Sequence, residues 1–275
     1  MKPIPFVKMS GSGNDFMVID NRSRLVPEKQ LHQLVVGSCR RRVSVGADGL
    51  ILIEPSASVD FKWRFFNADG SLPEMCGNGA RCAARFAFLH GIAGRRMAFE
   101  TRAGVIEAAV MDAGVRIRMT APCELETGLT IALEGLPTVV SRINTGVPHV
   151  VLPVDDIATV DVVATGARIR HHRDFAPDGT NVNFVAVANS GRVSIRTYER
   201  GVEGETLACG TGAVAAALIL ARERRLPSPV SLTTRGGAEL RVFFGLAGDR
   251  FEDIFLEGDA RLIYRGELCE EAWRC

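Results

Sequence analysis

The sequence predicts an α+β protein (α/β in some schemes) of two pseudo-symmetric halves, each a curled, mostly antiparallel sheet around one central helix. Three observations predict it. Cys76-Gly77-Asn78-Gly79-Ala80 returns as Cys209-Gly210-Thr211-Gly212-Ala213 after 133 residues (76 to 209), about half of the 275-residue chain. A motif repeated at half-length marks a duplicated unit. Short runs with strand alternation fill both halves. Finally, Ala213 to Ala221 carries no polar residue, as in a helix buried on every side. A sheet curled around such a helix is the simplest way to cover it.

In chain order, Ile4 to Met9 reads as a strand, Ser10 to Asp15 as a turn, and Phe16 to Asp20 as a second strand. Glu28 to Val36 has helical spacing after Pro27, a good first-turn residue. Gly46-Ala47-Asp48-Gly49 turns into the strand Leu50 to Ile53, and Phe61 to Phe66 is another strand. Asn67-Ala68-Asp69-Gly70 is a strong turn, and the helix Gly79 to His90 closes at Gly91. Strands follow from Met97 to Met119, broken at Gly104 and Gly114. The turn-rich stretch from Ala121 to Gly128 reads as the boundary between halves. It predicts a first domain over 1–121, with 264–275 returning to it, and a second over 122–263. The second half offers strands near Val139 to Asn144, Val150 to Val154, Phe184 to Val187 and Val193 to Tyr198. The helix Thr211 to Arg224 ends before Pro227-Ser228-Pro229, as prolines require, and further strands occupy the remainder.

Composition narrows the function. Hydrophobic residues make up 47% and charged residues 24%, ordinary for a globular protein. A net charge of +1 gives no reason to expect nucleic acid or an anionic membrane as partner. No apolar run approaches the ~20 residues that span a bilayer, and the first residues lack a secretory apolar core, so a cytoplasmic location is expected. Seven cysteines without metal-finger spacing are then expected as thiols. Cys39, Cys123, Cys269 and Cys275 read as structural or incidental, and Cys82 as a core residue inside its helix. Arg40-Arg41-Arg42, His171 and His172 read as solvated surface. Gly11-Ser12-Gly13-Asn14 lacks the third glycine of a dinucleotide fingerprint.

Cys76 and Cys209 carry the chemistry. Each stands at a predicted helix start, where unpaired N–H groups and partial positive charge stabilise an anion. A thiol there reaches the thiolate more easily, and the glycines beside it let a ligand approach the backbone. The same N–H groups can clamp a carboxylate. Two facing copies would supply a base, an acid and a doubly held carboxylate, which suits proton exchange at a carbon from opposite sides.

The chain resembles the diaminopimelate epimerase family, cofactor-independent enzymes of lysine and peptidoglycan precursor biosynthesis. The resemblance is carried by Lys8-Met9-Ser10-Gly11-Ser12-Gly13-Asn14-Asp15-Phe16, Gly46-Ala47-Asp48-Gly49-Leu50 and Phe66-Asn67-Ala68-Asp69-Gly70-Ser71. It continues through Met75-Cys76-Gly77-Asn78-Gly79-Ala80-Arg81-Cys82, Pro148-His149, Asn181-Val182, Glu199-Arg200-Gly201 and Glu205 to Gly212. It implies two β-barrel-like domains, each around a helix, with the active site in the cleft between them. Cys76 and Cys209 would be the acid–base pair, with His149 and Glu199 orienting or activating the thiols. Gly77, Asn78, Gly210 and Thr211 would hold the reacting carboxylate, while Asn14, Asn67, Asn181, Glu199 and Arg200 would contact the rest of the substrate. Neither cofactor nor metal is implied. The resemblance also implies a small-molecule partner, diaminopimelate, and a homodimer. Three departures stand out: Val147 where relatives often have Asn, Gly49 where some carry a contacting Gln, and one extra residue in 201–205.

On residue chemistry alone, Asn14 also reads as a turn residue, His149 as a structural histidine and Arg200 as half of an ion pair. Rival activities are a proline-racemase-like reaction, pyridoxal-phosphate racemisation and a thiol redox function. The second needs a Schiff-base lysine. Lys2, Lys8, Lys29 and Lys62 are the only lysines, and Lys2, Lys29 and Lys62 sit on a terminus, a helix and a strand. The third lacks a Cys-x-x-Cys motif.

Overall fold

A computed structural model describes residues 3–274; Lys2 and Cys275 lie outside the described residues. The chain divides into two compact units, 1–117 with 258–275, and 118–257. The first contains β1 (Ile4–Gly11), β2 (Asn14–Asp20), α1 (Leu31–Cys39), β3 (Gly49–Glu54), β4 (Phe61–Asn67), α2 (Gly77–Leu89), β5 (Arg96–Thr101), β6 (Gly104–Val110) and β7 (Val115–Arg118), whose last residue crosses the boundary. The second contains β8 (Cys123–Leu133), β9 (Leu136–Asn144), β10 (Pro148–Pro153), α3 (Val162–Arg170), β11 (Asn181–Val187), β12 (Val193–Glu199), β13 (Gly204–Thr206), α4 (Gly210–Arg224), β14 (Val230–Thr233), β15 (Glu239–Ala247) and β16 (Arg250–Gly258). β17 (Arg261–Leu268) returns to the first unit, where it pairs with β1.

Both units use one plan. In the first, neighbouring strands run β17, β1, β2, β3, β4, β5, β6, β7. In the second they run β8, β9, β10, β11, β12, β14, β15, β16, with β13 on the end of β12. Each unit has two parallel pairs at matching places, β2–β3 and β4–β5 against β10–β11 and β12–β14. A parallel pair needs a crossover, and the four helices are those crossovers. The fold is α+β, and the half-length repeat is visible in the order of its strands.

Alternation sends successive strand residues to opposite faces. Met17, Ile19, Leu50 and Leu52 pack with Leu31, Leu34 and Val35 of α1, whose buried positions follow the helical spacing. Phe16, Val18, Gly49 and Ile51 face the other way, toward α2. In the second unit, Val150, Val182, Phe184 and Tyr198 pack with Val162 and Ile169 of α3, leaving His149, Asn181 and Asn183 for the α4 face. Gly166 lets α3 lie this close, since a Cβ there would come within 2.5 Å of Tyr198. Residues 212–221 of α4 are all buried, as their apolar run requires. The helix touches β8, β9, β10, β11, β12, β14 and β15. It ends on Arg225 in the left-handed conformation, two residues before Pro227.

Three expectations are corrected. The stretch Ala121 to Gly128 is not a turn: from Cys123 it belongs to β8, paired with β9. Its turn-like residues are register shifts, with Glu124 and Gly128 at φ 55° and 70°, so bulges mimic a linker's composition. The second unit holds a further helix, α3, that was not anticipated. Its cap, Asp161 Oδ1 accepting from Ala164 N at 3.0 Å, follows a loop with no helical pattern of its own. The chain re-enters the first unit at Gly258, earlier than 264.

Candidate active site

In the first unit Cys76 is the N-cap of α2, extended at φ −146° and ψ 110°. Its Sγ accepts from Gly79 N at 3.4 Å and donates to Asn14 Oδ1 at 3.6 Å. Asn14 is therefore tied to the thiol, and its Nδ2 donates to Asp48 Oδ2 at 2.6 Å. Asp48 joins Arg41, Asp15 and Lys8 in a cluster linking the turns at 11–14 and 46–49. Burial works against ionisation of Asp15, but Arg41 and Lys8 outweigh it and hold the carboxyl down at about 2. Lys8 also donates to Gly46 O, so its ammonium is committed to structure. Arg40 and Arg42 are exposed, as expected of a solvated face.

Beneath the first turn of α2 lies a buried arginine. Arg81 is 0% exposed and donates to Asp259 O, Gly77 O, Ser12 Oγ and Asn78 Oδ1. Burial pushes its pKa down, with Cys82, Asp259 and Cys76 pulling the other way. Asp259 in turn accepts from Ser12 N and Oγ at 2.8 and 3.0 Å. The turn after β1 is thereby fastened to the start of α2. Gly11 permits the approach, because a Cβ there would sit 2.9 Å from Asn78 O. Asn67 lies across the sheet, opposite Gly49 in the ladder, and donates Nδ2 to Ser71 Oγ at 2.9 Å. Gly49 has no room for any side chain, since its Cβ would meet Phe66 O at 2.4 Å. That explains the departure at this position.

In the second unit Cys209 is the N-cap of α4, extended at φ −116° and ψ 114° and 8% exposed. Its Sγ lies 3.5 Å from Thr211 Oγ1, and Thr145 Oγ1 donates to Thr211 O at 3.1 Å. His149 is 1% exposed, and burial, with the Arg200 charge, pushes its imidazole down to about 3. Burial pushes the Glu199 carboxyl up, with the Thr206 hydroxyl partly opposing it. Asn181 accepts from Arg200 N at 2.8 Å and donates to Pro148 O at 3.0 Å. One amide proton and one lone pair of Asn181 are thus left over. Arg200 Nη1 donates to Asp178 O at 3.2 Å. Val147 accepts through its carbonyl from Thr145 N at 3.2 Å, which shapes the turn before His149.

The structure thus groups Asn14, Cys76, Gly77 and Asn78 in one unit, with Asn67 two strands away from Asn14 in the same sheet. It groups His149, Asn181, Glu199, Arg200, Cys209, Gly210 and Thr211 in the other. Sequence reasoning missed Arg81 and Asn183. Asn183 stands two residues after Asn181, so strand alternation puts both on one face, and that spacing was the available signal. His172 corrects another expectation. It is not solvated: its side chain is 12% exposed and its Nδ1 accepts from Asp174 N, whereas His171 is exposed. Cys39 and Cys82 are buried core thiols, and burial pushes Cys39 up to about 12 and Cys82 upward as well. Cys123 and Cys269 are exposed. Among the described residues, no group of three His, Cys, Asp or Glu is placed to hold a metal ion. None of the described helices is long and apolar enough to cross a membrane.

Two units of identical strand order, each with its own buried helix, give a fold shared with solved structures of a PhzF-family protein and a probable proline racemase. A PhzF-family phenazine biosynthesis protein of Bacillus anthracis superposes with a TM-score of 0.75 at 15% identity, covering 98% of this chain and 100% of that one. A probable proline racemase from Agrobacterium radiobacter K84 does so with a TM-score of 0.70 at 16% identity, covering 97% and 93%. Both show the fold alone. The family model for diaminopimelate epimerase matches residues 6–125 and 141–243. The diaminopimelate epimerase of Aquifex aeolicus is 45% identical over 97% of this chain and 98% of its own. The chain belongs to the diaminopimelate epimerase family and is an isomerase.

Proposed function

We propose that the protein interconverts LL- and meso-2,6-diaminopimelate by proton exchange at the α-carbon, without a cofactor, Cys76 and Cys209 acting as the acid–base pair. Their roles exchange with the direction of reaction. The observation that carries this reading is that each cysteine caps a helix at the same place in a repeated unit. A thiol beside unpaired helix amides is a base next to an anion clamp. The amides of Gly77 and Asn78, and of Gly210 and Thr211, hold the carboxylate on which charge builds as the proton leaves. Glu199, whose carboxyl is pushed up from its ordinary range by burial, serves as a proton-exchanging partner of the thiols. His149 acts with it on the thiols. Arg200 offers a forked donor for the distal carboxylate, while Asn14, Asn67 and the spare proton and lone pair of Asn181 serve the amino and carboxyl groups. Lys8 is held by Asp15, which argues against a pyridoxal-phosphate route. The protein works in the cytoplasm as a homodimer.

The test is incorporation of solvent deuterium at the α-carbon of diaminopimelate by protein stripped of any small-molecule cofactor. Incorporation together with epimerisation supports the proposal. Turnover of proline in place of diaminopimelate would overturn it, as would activity found only in an oxidised, disulfide-linked form.

A further inference from the structure

Asn183 is 0% exposed, and the bonds of its amide fix more than its own position. Nδ2 donates to Val150 O at 3.0 Å and lies 3.1 Å from His149 Nδ1, while Oδ1 accepts from Thr197 Oγ1 at 3.0 Å. A backbone carbonyl has only lone pairs, so the nitrogen end of the amide must face Val150 O. Turning the amide over would set two oxygens against each other at that distance. The second amide proton then points at His149 Nδ1, which must receive it with a lone pair. The ring proton is therefore on Nε2. Protonating Nδ1 as well would bring two N–H groups together. This agrees with the burial that keeps the imidazole neutral.

His149 Nε2 is itself buried and has no hydrogen-bond partner among the described residues. A buried donor left unsatisfied is costly, so an acceptor is expected to arrive with the ligand or during the reaction. Asn183 also meets α4. A Cβ on Gly212 would lie 2.3 Å from Asn183 Oδ1 and 3.3 Å from the Cβ of Cys209, so only glycine lets the cysteine cap come this close. One amide thus sets the register of the imidazole against the first turn of α4.

We infer that Asn183 is a positioning residue that fixes His149 as the neutral Nε2–H tautomer, so that His149 serves the site as a hydrogen-bond donor to an anionic oxygen or sulfur and not as a base. The nature of that acceptor rests on the proposed function. The tautomer does not, because it is read on the protein without substrate.

The experiment is nitrogen NMR on full-length protein labelled at histidine, with the His149 signals assigned by their loss in His149→Gln. In the unsubstituted protein the proton of His149 should sit on Nε2, with Nδ1 unprotonated. In Asn183→Asp the buried carboxyl gives its one proton to Val150 O and the lone pair of that same oxygen faces His149 Nδ1, so the ring proton should move to Nδ1. That change should lower kcat on the order of tenfold to a hundredfold, the size seen when the orienting partner of a functional histidine is lost. Thr197→Val is the gentler variant: it frees the oxygen end of Asn183 and should give a mixture of tautomers. A proton on Nδ1 in the unsubstituted protein overturns the proposal, whatever the variants do. So does an unchanged Nε2–H tautomer in folded Asn183→Asp.

Discussion

The two units share a backbone plan and differ in what they place on it. Across the α2 face of the first unit, the ladder runs Phe16, Gly49, Asn67. In the second, His149 pairs with Asn181, and Glu199 stands one residue beyond the pair Val182–Tyr198 of β11 and β12. Five residues past each cysteine the contrast reverses: Arg81 is a buried cation, while Val214 is a buried hydrocarbon. The first unit therefore holds a fixed charge and amides that do not titrate near neutrality. The second holds an imidazole pushed down and a carboxyl pushed up, both by burial. Duplication supplied two equal helix caps, and later divergence divided the labour around them.

The comparison breaks most simply at the caps, where the largest effect is expected. Cys76→Ala and Cys209→Ala should each lower epimerisation by about 10²–10⁴, the usual worth of a positioned acid or base. Circular dichroism should be unchanged, since Cys76 is only half-buried and alanine suits a helix start poorly but tolerably. If either variant kept full turnover, the pair would not act as equals, and the duplication would be structural alone.

Much of this was legible in the sequence because it depends on local rules. The cysteine caps, the apolar run of α4 and the closing Gly91 follow from glycine placement and periodicity. The boundary at Ala121 misled because Glu124 and Gly128 make bulges in β8, and a bulge uses the same residue types as a linker. α3 was hidden because it is short and buries only Val162, Gly166 and Ile169, too few for a clear helical stripe. Arg81 and Asn183 were missed for a different reason. Their roles depend on partners far along the chain, Asp259 for one and Val150 with His149 for the other, and no window of sequence contains both ends.

Arg81 gives the next prediction, a loss of stability confined to the first unit's design. Arg81→Met keeps the apolar stem but leaves Ser12, Asn78 and two carbonyls without their donor. Removing one side of a buried charged network costs about 3–5 kcal/mol, to be read from urea unfolding. For comparison, Leu218→Ala in the wholly apolar α4 should cost about 2–5 kcal/mol through its cavity. The two losses are similar in size but differ in kind. Only the arginine variant should also release the turn at 11–14, seen as faster amide exchange at Ser12 and Asn14. Equal exchange in both variants would mean that Arg81 is packing and not a tether.

The smallest effects separate the units by pH. An unfolded imidazole titrates near ~6.5, whereas His149 is held down to about 3. Between those values only the unfolded chain takes the proton. The contribution of His149 is thus fully present above pH ~6.5 and declines as pH falls, by up to about 1.4 kcal/mol per pH unit. Glu199 acts with the opposite sign. Its carboxyl is raised by burial, so the folded protein binds a proton before the unfolded one does, and stability rises as pH falls toward the ordinary carboxylate range. In the first unit Asp15 is held down at about 2 from 3.8, so its contribution is kept until pH falls below that ordinary value. Asn67 in place of a carboxyl adds nothing. A window from pH 7 to 4.5 therefore reports the second unit. Unfolding free energies across it should fall more steeply in Glu199→Gln, where His149 acts alone, and flatten or rise in His149→Gln, where Glu199 acts alone. Parallel curves for the two variants would mean that burial does not set these protons apart, and the division of labour between the units would lose its electrostatic basis.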